Sequence, residues 1–223
     1  HVEPTTGTYK HGKEKIDWSY KPVRQVLELW LKSRTIEGAN RLKCNHLDLV
    51  VTIDRGKGHS RVTCNFISRV RSPENGEWDE EEYACTIGNA LCRKDNAIII
   101  MSTFGTLLND DLKTRPSSIS IVEGQAVFGA NAAAEKNIPI NLFMAGDILF
   151  YNMVICKEGM SGWWCSYCKL FKNDWQQLDH VRGEPWTIAA LTAHAEQIAD
   201  QQINTKDICA VGGVRGKPVF DTI

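Results

Sequence analysis

Two aspartates that close apolar stretches are the residues of this sequence best suited to chemistry. Asp54 follows the β-branched run Leu47–Ile53, and Asp147 follows the apolar run Ile140–Ala145. If the two runs are neighbouring parallel strands, both carboxylates lie at one sheet edge, where they repel each other unless they share a divalent cation. Carboxylate oxygens suit Mg²⁺ or Mn²⁺, and a pair of such ions supports in-line displacement at phosphorus.

Each aspartate also has an ordinary structural role open to it. Asp54 comes just before a Gly-rich turn and can serve only to shape that turn. Asp147 can serve only as the cap of a helix that begins at Ile148. The pair is more informative than either member, because each acid closes an apolar strand.

A short run of basic side chains follows the first aspartate. It contains Arg55, Lys57, His59 and Arg61. These groups put positive charge close to Asp54, where the phosphate backbone of a bound nucleic acid would lie. They are equally compatible with a solvated turn. The Gly-Lys-Gly within the run lacks the spacing and the Ser or Thr of a phosphate-binding loop.

The Cys-x-x-Cys pair, Cys165 and Cys168, is the second group capable of chemistry. Its spacing lets both thiolates reach one tetrahedral Zn²⁺, with His180 and His194 as candidates for further ligands. A thioredoxin-like redox pair and ordinary thiols are the alternatives. The redox motif should follow a strand directly, whereas a Gly-containing segment, residues 158–162, precedes it here. The sequence therefore favours structural zinc.

The composition is that of an ordinary globular protein. Hydrophobic residues make up 43% of the 223, and 26 basic against 27 acidic side chains give no overall field for nucleic acid or membrane. No signal peptide opens the chain, and the most apolar window, Ile140–Cys156, is too short to span a bilayer. The eight cysteines are not expected to pair. We expect an intracellular, reducing location, and a fragment, because the chain begins at His1 rather than Met.

The elements that position these groups are predicted from hydrophobic periodicity. Residues 1–21 are polar and predict a loose arm or the remnant of an upstream domain. A helix follows, with an apolar face made of Val23, Val26, Leu27, Trp30 and Leu31. Besides the two acid-bearing strands, we predict strands over Ser60–Ser68, Tyr83–Leu91 and Ala97–Thr103, and a hairpin over Ser118–Phe128. Further helices are predicted over Phe104–Lys113, over Ile148–Cys156 and from Thr187 to about Gln202. Residues 72–82 are predicted to form a loop.

This order of elements combines an antiparallel meander with a later strand that lies parallel to the first. It predicts a mixed α/β sheet flanked by helices. We expect a core over residues 22–160 and a helical insertion, bearing the Cys pair, over residues 161–223.

The order Asp54, Asp147, Cys165, Cys168 resembles the RNase H-like catalytic core of eukaryotic cut-and-paste DDE/D transposases. It is similar to the arrangement in CACTA-like elements and in the catalytic subunit of the V(D)J recombinase, where a Cys pair after the second acid joins His residues in a zinc-bearing insertion. The resemblance covers Leu47–Lys169 and depends on the order and spacing of four residues.

The resemblance implies a nuclear DNA nuclease and strand transferase in which Asp54 and Asp147 hold two Mg²⁺ or Mn²⁺ ions. It also implies a structural Zn²⁺ at Cys165 and Cys168, and it is compatible with an oligomer. No third acid is identifiable. Glu184 and Glu196 are candidates by residue type, but the family pattern puts the last acid after the insertion, so we expect it beyond Ile223.

Two other functions compete with a transposase-like nuclease. The first is a non-catalytic, zinc-stabilised module that binds nucleic acid or protein and derives from such a core. The second is a thiol oxidoreductase. Metal binding separates the three, because Mg²⁺ or Mn²⁺ at the aspartates, Zn²⁺ alone, or a reactive Cys165 each favours a different one.

Overall fold

The computed structural model describes most of the first two thirds of the chain and parts of the remainder. The described residues are 2–35, 44–92, 97–146, 151–152, 154–157, 168, 184–200, 212–214 and 216–218. They form a mixed α/β structure dominated by one sheet, which confirms the predicted fold class at that level. Cys165, Asp147 and His180 lie outside the described residues, as does part of the predicted helix Ile148–Cys156.

The sheet contains eight strands in the described part of the chain, in the spatial order β1-β2-β5-β4-β3-β8-β6-β7. Their bounds are β1 Thr5–His11, β2 Glu14–Tyr20, β3 His46–Gly56, β4 His59–Arg71, β5 Trp78–Leu91, β6 Ser118–Val122, β7 Gln125–Phe128 and β8 Lys136–Ala145. Strands β3, β4 and β5 form an antiparallel meander, and β8 runs parallel to β3. The predicted parallel pairing of the two acid-bearing strands is thus confirmed.

One face of this sheet is covered by α1, Val23–Thr35. The predicted apolar face of the helix is buried, and the Trp30 ring stacks on the Phe66 ring of β4 at a centroid distance of 5.7 Å. Leu47, Leu49 and Val51 of β3 are fully buried. The apolar strand face and the helix together form the hydrophobic core that holds β3 in place.

The N-terminal residues form a β-hairpin, where the sequence predicted a loose arm. Strands β1 and β2 pair along their whole length, and β2 joins the sheet through Trp18–Tyr20 against β5. Ile16 and Tyr20 are buried by this docking. In β2 the apolar residues Ile16, Trp18 and Tyr20 alternate with polar ones, a strand pattern that the sequence prediction missed.

Two further predictions from periodicity are wrong. Ala97–Thr106, predicted to be largely a strand, is helix α2, because Ile99, Ile100, Thr103 and Phe104 are buried at helical spacing while Ile98 is exposed. A π-helix, Leu107–Asp111, follows it. The predicted acidic loop over 72–82 is half strand, since β5 already begins at Trp78.

The chain divides into two compact units, His1–Asp95 with Thr106–Ala145, and Asn96–Gly105 with Gly146–Ile223. The second unit contains helix α3, Ile188–Asp200, whose first turn is capped as predicted: the Ala190 N–H donates to Thr187 Oγ1 at 3.1 Å. Leu191 and Ala195 of α3 pack with Val214. No helix in the described part of the chain is long and apolar enough to cross a membrane.

Candidate metal-binding edge of the sheet

The carboxyl ends of β3 and β8 meet at one edge of the sheet. The parallel register runs from Leu47 opposite Ile140 to Thr52 opposite Ala145. Asp54 comes two residues after Thr52, so it lies on the same face of β3 as Thr52. Asp147 comes two residues after Ala145 in the sequence and lies outside the described residues. The structure therefore places one of the two predicted acids.

Asp54 is an exposed acid near the carboxyl end of β3. Its side chain forms no hydrogen bond or ion pair with another side chain of the described ranges. Arg61 stands opposite it on β4 and is also exposed. An exposed carboxylate can be a ligand of a hard cation, and it can equally be a solvated surface group. Metal binding at Asp54 therefore stays a prediction.

The basic run folds into the end of the β3–β4 hairpin. Lys57 and Gly58, with φ of 51° and 80°, form the two-residue turn, and Lys57 is exposed. His59 is half-buried, and its Nδ1 lies 3.1 Å from Asn89 Oδ1 on β5. For Arg55 the structure gives only the backbone, which pairs with Ser60.

His59 and Arg61 are brought to the same side of the hairpin as Asp54. The register pairs Gly56 with His59 and Asp54 with Arg61, and alternate residues of a strand share a face. Lys57 extends from the turn beyond them. Two of the four predicted phosphate-contacting residues therefore share the face of the predicted acid.

A buried polar network, which the sequence reasoning missed, lies on the same face of the sheet. Asp48 is only 3% exposed, and its carboxylate accepts hydrogen bonds from Arg69 Nη1 at 2.8 Å and Asn141 Nδ2 at 2.9 Å. Arg69 Nε also contacts Glu80 Oε1 at 2.6 Å, as an ion pair without hydrogen-bond geometry. The sequence feature that could have indicated this network is Asp48 itself, an acid inside a β-branched strand. A buried acid requires hydrogen-bonding partners.

The Cys pair is only half described. Cys168 is half-buried, and its backbone bridges to Pro185. The next residue, Trp186, packs edge-on against the His194 ring at 5.3 Å. His194 Nδ1 is buried without a hydrogen-bond partner in the described part of the chain. Two of the four zinc-ligand candidates, Cys168 and His194, are thus linked through the adjacent residues Pro185 and Trp186.

No group of three or more His, Cys, Asp or Glu side chains converges among the residues that the structure describes. Of the two candidates for a third acid, Glu196 forms an exposed ion pair with Lys217 at 3.0 Å, and Glu184 is exposed beside Pro185. Neither belongs to the unit that contains β3 and β8. The described residues therefore identify no third acid.

The cysteines of the sheet are structural thiols. Cys64 of β4 stands opposite Cys85 of β5, and burial raises the pKa of both thiols. Burial also raises the pKa of Cys44. Thiols with raised pKa values are poor nucleophiles at neutral pH, so these three cysteines fit a packing role.

No protein-family model matches this chain, and a search of curated proteins found no match. Its function is therefore inferred from the residues themselves and from their placement in the sheet.

Proposed function

We propose that this chain is part of a DNA transposase-like nuclease and strand transferase with an RNase H-like core. The observation that carries the proposal is the parallel pairing of β3 with β8 in the register Thr52 opposite Ala145. Asp54 and Asp147 follow these partners at the same sequence offset, and the proposal requires their two carboxylates to meet beyond the end of β8. Asp147 enters the proposal through the sequence alone.

The two aspartates would hold Mg²⁺ or Mn²⁺ between them. When bound, a pair of such ions supplies an activated water or 3′-hydroxyl and stabilises the leaving oxygen at phosphorus. Asp54 contributes an exposed carboxylate without a side-chain partner among the described residues. The third acid that would complete the shell of the second ion is not identified among the described residues.

Arg61, Lys57 and His59 would receive the phosphate backbone of the DNA. They lie at the hairpin end on the side of Asp54 or extend from its turn, and two of them are exposed. Because the net charge of the chain is −1, this local cluster supplies the attraction that the overall charge does not. Such contacts position the substrate without reading its sequence.

A second candidate is a non-catalytic, zinc-stabilised module derived from such a core. The contact between Trp186 and His194, next to the bridge between Cys168 and Pro185, favours a zinc site in the second unit. In that case Cys165 and Cys168 would hold Zn²⁺ with His194, and the module would bind nucleic acid or protein without cleaving it.

Binding of Mn²⁺ at the two aspartates separates the two candidates. We expect calorimetry to detect Mn²⁺ binding to the chain. Asp54→Asn and Asp147→Asn should each weaken this binding by about tenfold or more, since each removes a metal ligand. Asp79→Asn, which changes an exposed acid elsewhere in the sheet, is the matched control and should bind Mn²⁺ like the wild type.

Two results contradict the nuclease proposal. One is Mn²⁺ binding that is undiminished by the Asp54→Asn change. The other is a wild-type chain that binds zinc but neither Mg²⁺ nor Mn²⁺, which favours the non-catalytic module.

A further inference from the structure

Strand β5 has a long free edge. It pairs with β4 along its whole length, from Trp78 to Leu91, but β2 covers its other side only at Gly88–Ala90. The stretch Trp78–Thr86 therefore has no strand beside it in the described part of the chain. An edge of this kind presents backbone N–H and C=O groups that another strand can pair with.

The register between β4 and β5 determines which backbone groups of β5 point outward. The Ser72 N–H donates to the Glu77 carbonyl at 2.7 Å, which makes Arg71 and Trp78 a non-hydrogen-bonded pair. The pairing is regular from there to Asn65 opposite Ala84, so hydrogen-bonded and non-hydrogen-bonded pairs alternate. Between Trp78 and Ala84, the residues whose N–H and C=O groups face the free edge are accordingly Trp78, Glu80, Glu82 and Ala84.

The side chains along this edge are exposed and mostly acidic. Every residue from Trp78 to Ala84 is exposed, and Asp79, Glu80, Glu81 and Glu82 follow one another. Trp78 and Tyr83, at 51% and 47% exposure, stand at the two ends of the acidic run. Opposite charges on neighbouring strands stabilise pairing, and exposed aromatic rings can pack on the stems of long cations.

We propose that the β5 edge binds an extended peptide segment that carries Lys or Arg at alternate positions. The segment adds to the sheet as a new strand and pairs with the outward groups of Glu80, Glu82 and Ala84. Its basic side chains lie beside the exposed carboxylates of the acidic run. Two of these carboxylates also have contacts within the sheet: Glu80 Oε1 lies 2.6 Å from Arg69 Nε, and Glu82 Oε1 accepts a hydrogen bond from Asn65 Nδ2 at 2.9 Å. A second copy of the same edge is a poorer occupant, because it would place like charges directly opposite one another.

Amide hydrogen exchange on the complete chain tests this inference. The probe is a peptide of about nine residues in which lysine alternates with threonine or valine, a length that matches the free edge. We expect it to slow exchange at the amides of Glu80, Glu82 and Ala84. The amides of Asp79, Glu81 and Tyr83 already bond to β4 and should change little. A peptide with glutamate in place of lysine should have no effect.

Ala84→Pro and Ala84→Val provide a matched pair of variants at the edge. Ala84→Pro removes an outward N–H that the β4 ladder does not use, so the fold should survive while binding weakens by about tenfold or more. Ala84→Val keeps that N–H and should bind like the wild type.

Three results would overturn the inference. The first is unchanged exchange at the three amides with the lysine peptide, or an equal effect of the glutamate peptide. The second is undiminished binding by Ala84→Pro. The third is slowing that increases with the concentration of the chain alone, which would assign the edge to a second copy.

Discussion

Asp48 and Asp54 belong to one strand and have opposite environments. Asp48 is buried and receives hydrogen bonds from Arg69 and Asn141, whereas Asp54 is exposed and has no partner among the described side chains. A buried acid with both oxygens satisfied holds the sheet together. An exposed acid at the end of a strand can hold a cation instead.

Asp111, in the π-helix, is an acid that the fold does not satisfy. Burial raises the pKa of its carboxyl, and the neighbouring Asp110 raises it further. Its Oδ2 is buried without a hydrogen-bond partner in the described ranges. Because the folded-state pKa lies above the unfolded value, the charged form of Asp111 lowers stability as the pH rises above about 4.

We therefore predict that Asp111→Asn raises the urea midpoint of unfolding at pH 7. The gain should shrink as the pH falls below about 4, where Asp111 is protonated in both states. Asp110→Asn, which changes the exposed neighbour, should give a smaller gain. An equal gain at pH 7 and pH 3 would show that the charge of Asp111 is not the cause.

Glu123 adopts a backbone conformation that side chains with a Cβ disfavour. It precedes Gly124 in the turn between β6 and β7, with φ of 49° and 72° for the two residues. Asn tolerates this region better than Glu, so Glu123→Asn should raise the free energy of unfolding by about 0.5–1 kcal/mol. Gly124→Ala should lower it by about 1 kcal/mol. Thermal unfolding of both variants measures the two changes.

Among single residues, the sequence indicates the position of Asp54 but not the network around Asp48. Asp54 ends a β-branched run before a Gly-rich turn, and both features are local. The partners of Asp48 come from β4 and β8, far away in the chain, so only the folded sheet reveals them. Asp147 and Cys165 lie outside the described residues and stay predictions.

The pairing between β3 and β8 depends on more than apolar side chains. Asp48 and Asn141 are register partners and also form a side-chain hydrogen bond of 2.9 Å. A slip of one residue would break this bond and turn every side chain of β8 to the opposite face. The network thus fixes the register that the proposed metal site needs.

Asp48→Ala should lower the free energy of unfolding by about 2–4 kcal/mol, because it leaves Arg69 and Asn141 without their acceptor. Asp48→Asn should cost less. Asp79→Ala, an exposed control on β5, should change stability by less than about 0.5 kcal/mol. Urea unfolding measures all three variants. A loss no larger than that of the control would show that the network does not stabilise the sheet.

Elements with strong periodicity were predicted and those without it were not. The face of α1, the β3–β4 hairpin and the hairpin of β6 and β7 have local patterns, and the structure confirms them. The acidic start of β5 has few apolar residues, so pairing with β4 decides its structure. Strand β2 is an exception, because its short alternation of Ile16, Trp18 and Tyr20 is a local pattern and was still missed. For α2, a β-branched run fits either a strand or a buried helix.

The sheet of the first unit carries different side chains at its two ends. At one end the hairpin turn and the ends of β3 and β8 bring Asp54 together with basic side chains. At the other end β5 extends past β2 and exposes its acidic edge. The proposed metal and DNA site and the proposed peptide site therefore use separate parts of the sheet.

Paramagnetic Mn²⁺ gives the most direct measurement of the central claim, which is that Asp54 and Asp147 share a divalent ion. Added in substoichiometric amounts to the isotopically labelled chain, Mn²⁺ should broaden the amide signals at the carboxyl ends of β3 and β8, around Ile53 and Ala145. Asp54→Asn should abolish this broadening, and Asp79→Asn should leave it unchanged. Broadening confined to other parts of the chain, or undiminished in Asp54→Asn, would contradict the claim.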